Sequence, residues 1–391
     1  HPSAGDPYFL YAASNLGSLV ALLSYPFLLE PNLRLRTQGQ LWTAGYGILA
    51  WLVVACMITH WRQNSAQGDR EGRNSGAEVG SYAGGRSEPI TAVQRLRWVA
   101  LAFVPSSLML GVTAYLTADV ASIPLLWVLP LSLYLLTFVL AFARKALVPQ
   151  TLVNRLLPIG AVGLAYLLLS EATEPPWLLI LLHLGFFFVA ALLCHGRLAG
   201  ERPPPSHLTE FYFWLSLGGV LGGLFNALVA PNVFNRVIEY PLAIVLACLL
   251  RSEASVFRVN RALDVALPLI VGWIAVALAV LIPRIHGLPL QLRLTLIFGI
   301  PLVLAYTLVD RSLRFGLGLS AVLLSGTFYS GGHGRTLHVE RNFFGVLRVT
   351  LDPEGAFRRL VHGNTVHGRQ FIDPARQNEP LSYYHRSGPL G

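Results

Sequence analysis

Charge is scarce in this chain: 13% of its 391 residues are Asp, Glu, Lys or Arg, and Lys145 is its only lysine. An ordinary soluble domain carries roughly 25% charged residues, so a water-facing globule is excluded. Cysteine is nearly as scarce. Cys56, Cys194 and Cys248 each lie inside an apolar block with no partner at metal or redox-motif spacing, which excludes a disulfide framework and a zinc site. No succession of Asp, Glu or Arg threads the apolar blocks, and that argues against a proton-coupled carrier.

What is present is hydrophobic: 54% of the residues, gathered in blocks near the roughly 20-residue length that crosses a bilayer core. The expected architecture is an all-α multi-pass transmembrane bundle of about 10–11 spans over residues 1–329, followed by a small β-sheet or hairpin segment over residues 330–391. Candidate spans run from Tyr8 to Leu29, Leu41 to Trp61, Trp98 to Ala118, Ser122 to Phe142, Leu152 to Ser170 and Trp177 to Leu198. Five more run from Leu208 to Ala230, Ile238 to Leu250, Ala262 to Ile282, Leu292 to Leu308 and Phe315 to Tyr329. The stretch 62–97 is rich in Gly, Ser and charge and reads as a flexible loop.

The net charge of +9 is almost all arginine and borders the apolar blocks, which points to loop orientation and anionic headgroups and away from nucleic acid. Arg144, Arg155, Arg197, Arg202, Arg251 and Arg261 fall on alternate loops, with "EATEPP" on the opposite side. Positive-inside logic places the arginine loops in the cytoplasm of a cell-membrane protein. The C-terminal segment is expected there too, which requires that one late span be miscounted. Ile238 to Leu250 is the weakest, being short and starting with Glu239 and Pro241.

A weak internal repeat relates residues 8–31 to 209–232, "YAASNLGSLVALL" matching "YFWLSLGGVLGGL". Its small residues, Gly17, Ser18, Gly218, Gly219, Gly222 and Gly223, suit close helix packing or the meeting of two transporter halves. The intramembrane polar candidates are Asn15, His183, Glu210 and Asn226, with His195 near a span end.

Beyond Tyr329 the chain turns polar. "FFGVLRVTL" and "AFRRLVHG", separated by the turn signal "DPEG", predict a hairpin, and "NTVHGRQFI" a third strand with Gly363 and Gly368 at bends. So small a sheet needs a cover, from a following domain or a partner chain, and admits a homo-oligomer through its edge. His362 and His367, without a carboxylate cluster, predict no metal site.

In "DPYFLYAASNLGSL", "HLTEFYFWLSLGGVLGG" and the tail from "RNFFGVLRV" to "YYHRSGPLG", the chain resembles membrane-anchored proteins of the spermidine synthase-like (aminopropyltransferase) group. In that group a multi-pass, partly major-facilitator-like region precedes a synthase-like domain. The resemblance implies substrate-binding roles for Gln370, Tyr384 and His385, while Arg386 stands where the group has Glu, and His362 and His367 replace an Asp. It implies a polyamine or other small molecule as ligand. It also implies decarboxylated S-adenosylmethionine or a related nucleoside as donor, held by a Rossmann domain beyond Gly391, with no catalytic residue in residues 1–391. His1 in place of Met and the stop at "SGPLG" lead us to expect a chain cut at both ends and inactive alone, leaving a transporter or a pure membrane anchor as the alternatives.

Overall fold

The computed structural model describes residues 7–71, 89–120, 123–144, 147–251, 261–329, 334–342, 345–352, 354–363 and 365–388. Each of the eleven apolar segments is helical: α1 (Phe9–Asn32), α2 (Leu35–Glu71), α3 (Ala92–Val120), α4 (Val128–Ala141), α5 (Gln150–Leu169), α6 (Pro176–Gly200), α7 (Pro205–Val233), α8 (Glu239–Leu249), α9 (Arg261–Arg284), α10 (Leu290–Tyr306) and α11 (Ser312–Phe328). Among the described residues seven helices are long and apolar enough to cross a membrane, and α4, α8, α10 and α11 are shorter.

The expected 62–97 loop is shorter than its composition suggests. Helix α2 continues to Glu71, and α3 begins at Ala92 behind a capping box in which Thr91 and Gln94 satisfy each other's backbone N–H groups. Residues 72–88 of that loop lie outside the described residues.

Residues 17–90 cluster as one unit, and residues 1–16 with 91–391 as another. In the first unit, α2 has Trp42, Tyr46, Trp51 and Trp61 exposed along its length. In the second, α3 is central: Trp98, Leu101, Leu108, Val112 and Leu116 are buried where it meets α6, α7 and α8. Gly218 and Gly222, one turn apart on α7, lie directly on the α3 backbone. A Cβ on Gly218 would stand 2.5 Å from the Val99 carbonyl oxygen, and one on Gly222 2.5 Å from that of Phe103. Ser106 Oγ donates to Gly219 O at 2.8 Å across the same contact. These small residues serve packing, as lipid-type helix association requires.

Four helices contain a π-turn: Tyr25–Leu29, Leu116–Val120, Phe225–Val229 and Thr295–Gly299. Three have the same cause. Pro31, Pro231 and Pro301 each stand two residues beyond the π-turn, and a proline ring clashes with the carbonyl four residues back, here Phe27, Ala227 and Ile297 at the middle of each turn. Widening the turn relieves the clash. The two repeats also end alike: Asn32 Nδ2 donates to Leu28 O and Asn232 Nδ2 to Leu228 O. The fourth π-turn, Leu116–Val120, has Ser122 at the position of the proline.

The tail forms a four-stranded antiparallel meander, β1 (Arg335–Asn342), β2 (Gly345–Leu351), β3 (Phe357–His362) and β4 (Thr365–Phe371), in the order β1-β2-β3-β4. One strand more than expected is present, because β1 is too polar to read as one. At the predicted "DPEG" turn, Asp352 Oδ1 accepts from Ala356 N and Phe357 N at 2.8 and 2.9 Å, and Gly355 has φ +73°. Gly363 turns the β3–β4 hairpin at φ +57°, and Gly368 borders a bulge that leaves His367 as the extra residue.

Two ion pairs tie the sheet to the bundle. Arg341 on β1 pairs with Glu239 at the start of α8, and Arg348 on β2 approaches Glu171 after α5. The opposite end of the bundle gathers a different set of contacts. There Arg95 pairs with Glu210, Arg97 with Glu201, and Arg314 with Asp264, Arg197 donates to Leu250 O, and Ser312 donates to Arg251 O. The sheet and the "EATEPP" loop therefore share one end, and the arginine loops hold the other. Within this unit the C-terminal segment thus lies at the end opposite the arginine contacts, not beside them as expected.

Candidate functional site

A cavity of about 420 Å³ lies where the sheet meets the bundle. Each wall comes from a different segment: Tyr115 and Asp119 from α3, Leu168, Leu169 and Glu171 from the end of α5, Arg236, Tyr240 and Val245 from the approach to α8 and α8 itself, Ser320, Leu323 and Leu324 from α11, and Val346, Arg348 and Gly363 from the sheet. The volume is in the range of small-molecule sites, roughly 300–1,000 Å³.

Two local irregularities aim carboxylates at it. Asp119 lies in the one π-turn that no proline explains, and π-turns of this kind recur at functional sites. Glu171 follows α5 in the left-handed region at φ +50°, where Ala172 N bonds Leu167 O and Glu171 N bonds Leu168 O. That arrangement normally takes glycine, and a side chain there costs about 1–2 kcal/mol. A strained residue whose side chain enters a cavity is a mark of function.

The sheet supplies the opposite charge and a tight fit. Arg348 Nη1 stands 3.9 Å from Glu171 Oε1, and its Nη2 donates to Gly363 O at 2.8 Å. A Cβ on Gly363 would lie 2.8 Å from Asp119 Oδ1, so only glycine lets the β3–β4 hairpin reach the end of α3. Arg236 is exposed at the mouth and has no ion-pair partner among the described residues. Beneath the mouth, Tyr115 stacks on His183 at 4.6 Å between centroids, and His183 Nδ1 bonds the Tyr240 hydroxyl at 2.7 Å.

Of the candidate site residues named from sequence, none lines this cavity; Gly363, expected at a bend, does. His183 is fully buried one layer below it. Asn226 Nδ2 donates to Ser107 Oγ at 2.6 Å across two helices, and Asn15 Nδ2 donates to Tyr11 O at 2.8 Å within its own helix. His195 is buried with its Nδ1 2.9 Å from Thr137 Oγ1, and Glu210 pairs with Arg95 at 2.7 Å. Gln370 is exposed on β4, its Nε2 3.5 Å from Gln377 O; Tyr384 is 61% exposed; His385 Nδ1 stands 2.7 Å from Ser387 Oγ. In the same region the Arg376 guanidinium holds the Glu379 carboxyl below its ordinary range. The strand that carries Gln370 contacts the turn Ser382–Tyr384, and none of Gln370, Tyr384 and His385 lines the cavity at the bundle. Nor, among the described residues, do three His, Cys, Asp or Glu side chains meet as a metal site.

The cavity residues Asp119, Glu171, Arg236 and Arg348 escaped the sequence reading. Asp119 and Glu171 both end helices and lie one helix pair apart, and that shared parity was the available signal. No protein-family model, curated protein or solved structure matches the chain.

Proposed function

We propose that this chain is the membrane-embedded, ligand-binding part of a spermidine synthase-like protein, and that the cavity between bundle and sheet holds a small amine-bearing molecule. The observation that carries this is the pairing of Asp119 and Glu171 at one cavity, two acceptors for an ammonium group, with Glu171 in a backbone conformation that favours glycine. The acidic side chains that a polyamine site needs are absent from the tail's His-Gly pairs; here the helices provide them. The length and composition of seven helices support insertion in the cytoplasmic membrane.

The positive-inside rule puts the arginine end in the cytoplasm and the cavity on the other face. A cytosolic nucleoside donor does not reach that face. Among the described residues no strand is followed by an α-helix, so they form no Rossmann-type site for decarboxylated S-adenosylmethionine, and no transfer step is assigned to them. Binding, not aminopropyl transfer, is the activity we assign to residues 1–391.

Isothermal titration of the purified chain in lipid nanodiscs with putrescine and spermidine tests this. The double variant Asp119→Asn, Glu171→Gln should weaken binding by about tenfold or more, as loss of charge-assisted contacts predicts. Absence of binding, or binding indifferent to the double variant, would rule the reading out.

A further inference from the structure

The cavity has a head and a tail. Its charged groups, Asp119, Glu171, Arg236 and Arg348, all lie at the mouth near the sheet, whereas its deeper wall is apolar. That wall runs from Ile238, just before α8, to Val245 and along α11 from Ser320 to Thr327, eight residues each and therefore about 10 Å of helix. The two helices run in opposite directions, so Val245 and Ser320 mark the same deep end and Ile238 and Thr327 the same mouth. Leu324 is 63% exposed and Ile238 39%, which leaves the groove open sideways onto the apolar flank of the bundle.

A free polyamine uses only the mouth. It is cationic throughout and gains nothing from a 10 Å apolar wall or from two guanidinium groups beside the carboxylates. The mouth carries both signs in equal number, which matches a ligand head carrying both. An ammonium would be accepted by Asp119 and Glu171. A phosphate would be bound by Arg236, which no ion pair engages among the described residues, together with Arg348, whose Nη1 stands 3.9 Å from Glu171 Oε1 at the same mouth.

We propose that this cavity is the seat of a zwitterionic phospholipid: the ammonium of the head at Asp119 and Glu171, its phosphate at Arg236 and Arg348, and an acyl chain in the groove between α8 and α11 that continues past Leu324 into the bilayer. The inference rests on the amine-binding reading above and narrows it to an amphipathic ligand.

Native mass spectrometry of the full chain in detergent, titrated with phosphatidylethanolamine, phosphatidylglycerol, free phosphoethanolamine and spermidine, tests it. Phosphatidylethanolamine should bind about tenfold or more tighter than phosphatidylglycerol and than phosphoethanolamine. Ser320→Phe, which fills the deep end, should abolish that advantage over phosphoethanolamine. Arg236→Gln, at an exposed position that leaves the core untouched, should weaken phosphatidylethanolamine and serves if Ser320→Phe does not fold. Equal binding of the two lipids, or a phosphatidylethanolamine affinity indifferent to both variants, overturns the lipid proposal. If spermidine still binds and depends on Asp119, the amine-binding reading survives that result; if no amine binds at all, both fall.

Discussion

Arg341 and Glu239 form a two-pronged ion pair between sheet and bundle: Nη2 lies 2.6 Å from Oε1 and Nη1 3.0 Å from Oε2, with Glu239 only 2% exposed. Arg341 Nη1 also donates to Arg236 O at 2.8 Å, so the same guanidinium fixes the backbone that presents Arg236 to the cavity. The glutamate that made α8 look unfit for burial is thus neutralised by a residue 102 positions later.

Removing Arg341 leaves a buried carboxylate without its partner, a change that typically costs about 3–5 kcal/mol. Arg341→Met should lower the unfolding midpoint of the purified protein sharply. The double variant Arg341→Met, Glu239→Gln should recover most of the loss, since the uncompensated charge is then gone. A double variant as unstable as the single one would show that the pair does not hold the sheet.

The α3–α7 contact gives a second test. Gly222→Val would force a side chain into the Phe103 carbonyl and the Ser106 side chain, and overpacking of this kind costs about 1–3 kcal/mol. Gly223→Val, where nothing lies within 4 Å, should be close to neutral. Thermal unfolding of the two variants side by side decides it, and equal losses would count against the close approach.

Topology can be read with single cysteines in a chain whose Cys56, Cys194 and Cys248 are replaced by serine. A membrane-impermeant maleimide applied to intact cells should label Glu174→Cys in the "EATEPP" loop and Leu337→Cys on β1, and should leave Arg202→Cys unlabelled until the membrane is opened. Labelling of Arg202→Cys and Leu337→Cys from the same face would contradict the separation of arginine loops and sheet.

Much of this architecture is legible because lipid-length apolar blocks are a length-and-composition signal: all eleven helices follow the blocks, and the "DPEG" hairpin follows its turn chemistry. What was not legible depends on distant partners. Glu239 argued against α8 only while Arg341 was unknown, and no local window contains both. The strand "RTLHVERN" lacks a turn signal and alternates among polar residues, so its identity comes only from pairing with β2. The cavity draws its charged residues from four separate segments, each bland alone: an aspartate near a helix end, a glutamate in a loop, two arginines among many.

Glu171 offers the sharpest separation of function from stability. Its φ of +50° suits glycine, and replacing a strained side chain by glycine removes about 1–2 kcal/mol of backbone cost, offset in part by the greater freedom of glycine in the unfolded chain. Its contact with Arg348, 3.9 Å long and part-exposed, contributes about 1 kcal/mol or less. Glu171→Gly should therefore raise the unfolding midpoint slightly while weakening amine binding by about tenfold, the size of a lost charge-assisted contact. Thermal unfolding and isothermal titration on the same preparation measure both. A variant that loses stability along with affinity would make Glu171 a structural residue, and the strain at its backbone would then have no functional meaning.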